Sequence, residues 1–295
     1  MPFRAGVVAV VGRPNVGKSS LVNALVGEKV AIVSDKPQTT RFATRGILSG
    51  EGFQIAFTDT PGFHKPRTLL GERLNARVDD AAGDVDVVLM VIDAASGVGR
   101  GDGHVAVRHV GPHGGPKICA VNKVDLARHE RLVPQLAAAA ALAEFDHVVP
   151  VSAKTGRGVS ELREVLVASL PEGEPLYPPG QATDQPVELR IAEIVREKAL
   201  AVTRDEVPHS VAVVLDEVDR DDQRGVTRIG CVVYVERDSQ KGILVGKGGR
   251  TLKEIGSRAR EELEPLLGSK VFLDLRVKVQ REWQRDPSAL TRLGL

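Results

Sequence analysis

The strongest chemical signal in the chain is Gly12-Arg13-Pro14-Asn15-Val16-Gly17-Lys18-Ser19, with the spacing G-x-x-x-x-G-K-[ST]. It follows an apolar run and opens a helical pattern, the setting in which such a loop cradles nucleotide phosphates. Its glycines let backbone N–H groups close on phosphate oxygens with no Cβ in the way. Lys18 can reach the β- and γ-phosphates, the Ser19 hydroxyl can ligate Mg²⁺, and the helix start at Ser19 and Ser20 adds favourable partial charge. Asp59-Thr60-Pro61-Gly62 closes a second apolar run. Asp59 is placed to hold Mg²⁺ through a water, as a Walker-B carboxylate does, and the Gly62 N–H can approach a γ-phosphate. Between these motifs lies Pro37-Gln38-Thr39-Thr40-Arg41. A threonine hydroxyl there can complete the Mg²⁺ shell only while γ-phosphate is present, which makes the loop an order–disorder switch. Thr40 is preferred over Thr39. Lys18, Thr40 and Gly62 are thus the candidate catalytic residues, and Ser19, Thr40 and Asp59 the candidate metal ligands.

Asn122-Lys123-Val124-Asp125 follows a third apolar run. An aspartate at the carboxyl end of a strand can accept two hydrogen bonds from guanine N1–H and N2–H₂, a donor pair that adenine lacks. Ser152-Ala153-Lys154 comes after the last run and can pack its backbone against the guanine edge. An ATP-binding protein would not need Asn122 and Asp125. Together the motifs specify GTP or GDP with Mg²⁺. Many enzymes of this chemistry orient the attacking water with a glutamine after the D-x-x-G glycine. Here Phe63 stands in that place, and nothing assigns a role to His64 after it. The Asn15 amide could instead help hold a monovalent cation such as K⁺ beside the α- and γ-phosphates.

These motifs need strands to carry them. Gly6–Val11, Phe53–Thr58, Val85–Ile92, Lys117–Val121 and His147–Val151 read as strands buried on both faces. Helical patterns lie between them at Ser19–Leu25, Leu69–Ala82, His104–Val110 and Arg131–Glu144. The alternation predicts an α/β domain over residues 1–170, a mostly parallel sheet with helices on both faces. The Pro- and Gly-rich stretch 171–185 reads as an exposed, semi-rigid linker. Composition agrees with folded, soluble domains: 42% hydrophobic and 27% charged residues, and a net charge of +1 from 40 Lys+Arg and 39 Asp+Glu. Nucleic-acid binding therefore needs a local patch. Two cysteines cannot make a disulfide framework, which fits a reducing cytosol. No apolar run is long enough to span a membrane, and the N-terminus lacks a signal-peptide pattern.

Residues 186–295 have a different pattern. Val187–Val202 has helical spacing, Ser210–Val218 and Val226–Glu236 alternate like a hairpin, a glycine turn leads into helices over Arg250–Leu267, and Lys270–Val279 reads as a strand. The order helix, strand, strand, helix, helix, strand is that of an α+β type II KH domain. Gly246-Lys247-Gly248-Gly249 fits its G-x-x-G loop, which clamps about four nucleotides of backbone. From Arg237 to Arg260 seven Lys/Arg stand against Asp238 and Glu254, so Arg250 and Lys253 join the loop as candidate RNA contacts. Asp216, Glu217, Asp219, Asp221 and Asp222 are expected in an acidic hairpin turn facing away from RNA. Trp283 could stack on a base, but a lone tryptophan more often packs on its own domain.

Taken over its full length, the chain resembles the Era family of bacterial ribosome-assembly GTPases. The phosphate loop, Pro37–Arg41, Asp59–Phe63, Asn122–Asp125, Ser152–Lys154 and Gly246–Gly249 carry the likeness, and the KH-like half makes it specific. The resemblance implies a GTP-dependent switch that binds the 3′ end of 16S ribosomal RNA in the small ribosomal subunit. It also implies a cytoplasmic location with some peripheral association at the inner membrane face. The rival reading is an RNA-binding adaptor whose nucleotide site is only structural. An RNA-modifying GTPase would need a nucleophile constellation in the second half, and none is visible.

Overall fold

The structure, a computed structural model, describes every residue except 1, 37, 64, 65, 67, 204–206, 222 and 224, and omits the side chains at 129, 131, 208 and 209. Pro37, His64 and Asp222, singled out above, therefore lie outside the described residues. The chain divides into two compact units, Met1–Val33 with Thr40–Arg67 and Gly71–Asp184, and Ser34–Thr39 with Thr68–Leu70 and Gln185–Leu295.

The first unit is built on a six-stranded sheet. Its elements in chain order are β1 (Arg4–Val11), α1 (Lys18–Val26), β2 (Thr44–Gly50), β3 (Phe53–Asp59), α2 (Leu69–Gly83), β4 (Val87–Asp93), α3 (Arg100–Val105), β5 (Lys117–Asn122), α4 (His129–Ala140), β6 (His147–Pro150) and α5 (Val159–Ser169). A π-helical turn, Ala106–Val110, continues α3. The strand order is β2-β3-β1-β4-β5-β6. All pairs are parallel except β2 with β3.

The apolar runs explain the sandwich. In β4, Val87, Leu89 and Val91 join one core cluster while Val88, Met90 and Ile92 join the cluster on the opposite face. Both sets are essentially inaccessible to water. Each such side chain contributes about 1.5–3 kcal/mol of burial free energy, so a strand of this kind is stable only with helices on both sides.

Two elements of this unit, β2 and α5, escaped the sequence reading. β2 reads Thr-Arg-Gly-Ile-Leu-Ser-Gly, too polar and glycine-rich to announce a strand; as an edge strand it needs an apolar partner for Ile47 alone among its fully buried hydrophobics. α5 places Leu162 and Leu166 against the sheet. Residues 171–184 lie along this unit. Gly173 N donates to Phe3 O at 3.0 Å, and Gln54 Oε1 accepts from Leu176 N at 2.7 Å and Tyr177 N at 2.8 Å.

In the second unit α6 (Val187–Val202) precedes β7 (Ala212–Asp221), β8 (Val226–Val235), α7 (Asp238–Val245), α8 (Arg250–Leu267), β9 (Lys270–Val279) and α9 (Pro287–Arg292). β8 is central, antiparallel to β7 and parallel to β9. Ile255, Ala259 and Leu263 recur at helical spacing on α8 and pack with Ile229, Cys231, Val233 and Val235 of β8. This is the α–β–β–α–α–β order expected from the sequence, with one correction. The two central helices flank the glycine turn rather than both following it. A second correction concerns the acidic cluster: Asp216, Glu217, Asp219 and Asp221 lie within β7, not in a turn, and Asp216 pairs with Arg276 at 3.0 Å. Among the described residues no helix is long and apolar enough to cross a membrane.

Candidate functional site

The phosphate loop runs from the carboxyl end of β1 into α1, where open α/β sheets hold their ligands. Gly17 sits at φ 96°, and a Cβ there would meet Asn122 Nδ2 at 2.3 Å. Only glycine fits, so the loop and the Asn122 motif are locked together. Asn122 Nδ2 donates to Val16 O at 2.9 Å, while its Oδ1 accepts from Ala153 N at 3.0 Å. Lys123 Nζ donates to Asn15 O at 2.5 Å and to Asp93 Oδ2 at 2.8 Å. Burial alone would raise the Asp93 carboxyl, but Lys123 and the Ser96 and Ala95 N–H groups hold it below the usual range. Thr60 Oγ1 donates to Val10 O at 2.7 Å, and a Cβ on Gly62 would lie 2.6 Å from Pro14 Cα. The segment after β3 is thus pressed onto the loop.

Lys18 is buried, its ammonium donating to Gly12 O at 3.2 Å and Arg13 O at 3.0 Å. Burial pushes its pKa down to about 8, against the pull of Asp59. A bound triphosphate would keep the ammonium charged. Nucleotide binding is therefore expected to take up a proton above pH of about 8 and to weaken as pH rises, approaching about tenfold per pH unit. Calorimetry at high pH in two buffers of different ionisation enthalpy reads the uptake; proton-neutral binding there contradicts this placement of Lys18.

Ser19, Thr40 and Asp59 meet. Ser19 Oγ lies 2.9 Å from Thr40 Oγ1 and donates to Asp59 Oδ2 at 2.6 Å. Thr39 instead donates its hydroxyl to Lys36 O at 2.6 Å, so of the two threonines it is Thr40 whose hydroxyl lies beside Ser19 and Asp59. Asp59 is fully buried, and its Oδ1 has no hydrogen-bond partner among the described residues. Burial raises its carboxyl pKa, with Lys18, Ser19 and Thr40 opposing. A buried carboxylate with an unmet oxygen beside two hydroxyls is a hard-oxygen donor set that fits Mg²⁺.

At the base end, Ser152 Oγ donates to Asp125 Oδ1 at 2.6 Å and accepts from Thr155 N at 3.1 Å. Asp125 and Lys154 are exposed, and Ser152 is buried. The carboxylate is thereby oriented yet open to an incoming base. Ser20 is half-buried on α1.

Sequence reasoning missed Asp102 and gave Asp93 no role. Asp102 is fully buried, accepts from Arg13 Nε at 2.8 Å through Oδ1, and from Gly99 N at 2.9 Å through Oδ2. It fastens the phosphate loop to α3. No local pattern signals a partner 89 residues away.

In the second unit Gly246, Gly248 and Gly249 all have positive φ, and added Cβ atoms at Gly248 and Gly249 would meet nothing within 4 Å. The turn is open to a close-packed backbone. Lys247, Arg250 and Lys253 are exposed around it, at the N-terminus of the 18-residue α8. Trp283 is fully buried and donates from Nε1 to Ser210 O at 3.1 Å. It packs on its own unit, as preferred above.

A family profile described as 50S ribosome-binding GTPase matches residues 7–123, and a KH-domain profile matches residues 206–284. GTPase Era of Mycolicibacterium smegmatis is 51% identical over 296 residues, covering 99% of each chain. GTPase Era of Mycobacterium tuberculosis is likewise 51% identical with 99% of each chain covered. A crystal structure of Era in complex with MgGDPNP and nucleotides 1506–1542 of 16S ribosomal RNA matches with a TM-score of 0.95, at 40% identity and 99% coverage of both chains. An Aquifex aeolicus Era variant bound to GDP·AlF4⁻ matches equally well, with a TM-score of 0.95 and 40% identity over 99% of both.

Proposed function

The chain belongs to the Era family of GTPases, and on that premise we propose that it is a GTP-hydrolysing switch that binds 16S ribosomal RNA through Gly246–Gly249 and acts in assembly of the small ribosomal subunit. One observation carries the reading. The guanine-reading carboxylate, the phosphate loop and the metal-ligand cluster are assembled at one sheet edge, in a chain whose other unit presents an open G-x-x-G turn.

The residues divide the work. Backbone N–H groups between Gly12 and Ser20, Pro14 having none, and the Lys18 ammonium bind the phosphates, and Arg13 anchors the loop through Asp102. Ser19 and Thr40, backed by Asp59, would hold Mg²⁺, which when bound neutralises charge on the β- and γ-phosphate oxygens. A γ-phosphate would offer Thr40 and Gly62 contacts that GDP lacks, so GTP and GDP are expected to leave the two segments in different states. Asn122, Lys123, Asp125, Ser152, Ala153 and Lys154 form the base pocket, while Thr60 and Pro61 carry Gly62 to the phosphate. The Asn15 amide would help hold a K⁺ ion, which would supply positive charge beside the triphosphate. Turnover is expected to be faster in potassium than in sodium buffer, and equal rates would remove that role.

The KH turn supplies the RNA contact by chemistry already described, close backbone approach with cations around it. Lys247→Asp reverses a charge where a phosphate must lie. It is expected to weaken binding of a 16S 3′-end fragment by about tenfold and to lower the salt dependence, with GTP turnover unchanged. Filter binding at two ionic strengths measures both. The switch itself is tested by the affinity of that fragment in GDP and in a non-hydrolysable GTP analogue. Tighter binding with the analogue supports it, and equal affinities remove the coupling.

The location proposed with this reading is the cytoplasm, with peripheral contact at the inner membrane face. It rests on the family resemblance, and fractionation at low and high salt tests it.

A further inference from the structure

Phe63 stands where a water-orienting side chain is often found, and the structure surrounds its ring with an organised set of groups. The ring meets His109 edge to face, centroids 5.2 Å apart at 75°. The guanidinium carbon of Arg108 lies 5.3 Å from the Phe63 centroid. Arg108 is itself held in a fork by Asp79 of α2, Nε to Oδ1 at 2.8 Å and Nη2 to Oδ2 at 2.6 Å. His109 Nε2 lies 3.8 Å from Asp79 Oδ1. Arg108 and His109 belong to the π-helical turn Ala106–Val110, an irregularity frequently found at functional sites. A phenylalanine that merely filled the core would need neither the cation nor the fork.

The seat matters because of what precedes it in the chain. Phe63 N donates to Gly12 O at 3.3 Å, and Gly62 is packed on Pro14. Wherever the ring is held, the Gly62 N–H is held with it, one residue away. We infer that Arg108 and Asp79 are positioning residues for GTP hydrolysis, clasping Phe63 so that Gly62 meets the γ-phosphate and the ring stays clear of the attacking water. The inference rests on the GTPase reading above and concerns its chemical step alone, since GDP has no γ-phosphate for Gly62 to meet.

The test uses the full-length protein and reads kcat and KM for GTP together with Kd for GDP. In Arg108→Ala and in Asp79→Ala, kcat is expected to fall about tenfold while KM and the GDP Kd move less than about threefold. In a Phe63→Leu background the further loss caused by Arg108→Ala is expected to shrink below about twofold, because the ring it clasps is gone. Arg108→Lys, which keeps a cation over the ring but loses the fork, is expected to fall between parent and alanine variant. A kcat within about twofold of the parent in Arg108→Ala overturns the inference, as does an undiminished loss in the Phe63→Leu background. Arg108→Gln gives the same two readouts if the alanine variant does not fold. Failure of the parent to bind GDP would instead strike the GTPase reading itself, so the two failures are separable.

Discussion

Lys18→Ala is expected to lower kcat/KM for GTP by about 10³-fold, in line with the loss of a preorganised donor to developing charge. The residue is buried at the base of the phosphate loop, where its ammonium holds two loop carbonyl oxygens and faces Asp59. In a low-dielectric pocket a cation aimed at the β- and γ-phosphates is worth far more than the same charge in water. The variant also removes the charge that opposes Asp59, whose pKa should then rise further. Steady-state kinetics and equilibrium binding of a fluorescent GDP analogue measure the loss, with circular dichroism confirming the fold. The same variant separates the switch from an RNA-binding adaptor. A strain carrying it should accumulate incomplete small subunits; normal assembly from a protein that neither binds nor hydrolyses GTP would make the nucleotide site structural.

Asp125→Asn is expected to exchange the base preference. The carboxylate accepts from guanine N1–H and N2–H₂, whereas an asparagine offers one acceptor and one NH₂ donor. It matches xanthine, which keeps N1–H and carries a carbonyl oxygen in place of the amino group. Ser152 Oγ donates to Asp125 Oδ1 at 2.6 Å, a bond an asparagine oxygen also accepts, so the side chain should keep its orientation. Losing one charge-assisted bond and gaining a donor facing a donor should weaken GTP about 10²- to 10³-fold. Xanthosine triphosphate should then bind more tightly than GTP. Competition of the two against labelled GDP reads the exchange, and an unchanged preference for guanine would show that Asp125 does not read the base.

Both predictions concern residues visible in the sequence, and the reason is physical. Asp59 and Asn122 end strands that are buried on both faces, and Lys18 lies past the end of a third. Ser152 instead follows the edge strand β6, where only Val149 is buried, a correction to the doubly buried strand expected there. A doubly buried run marks a central parallel strand, and its carboxyl end marks the ligand edge, so local pattern was enough to place the chemistry. The KH unit was legible through alternation in β8 and the helical spacing of α8. What was not legible is long-range or irregular. Arg13 and Asp102 meet across 89 residues, with nothing local to betray them. The strand β2 survives on pairing to β3 rather than on its own propensity, and α7, eight residues long, is too short for a periodic signal. The helical pattern at His104–Val110 was legible, but not the π-helical turn that Ala106–Val110 makes within it. Phe63 stood out by what it lacks, a hydrogen-bonding group, but the clasp around it is a property of three separated segments.

Central to the proposed function is a loop that wraps a triphosphate while Asp125 vets the purine. Equilibrium competition of ATP and GTP for the unmodified protein, with Mg²⁺ present and labelled GDP as probe, tests this most directly. GTP is expected to displace the probe at concentrations about 10³-fold or more below those of ATP, because adenine brings an acceptor where the carboxylate needs a donor. Displacement at matching concentrations, or by neither nucleotide, would contradict the account.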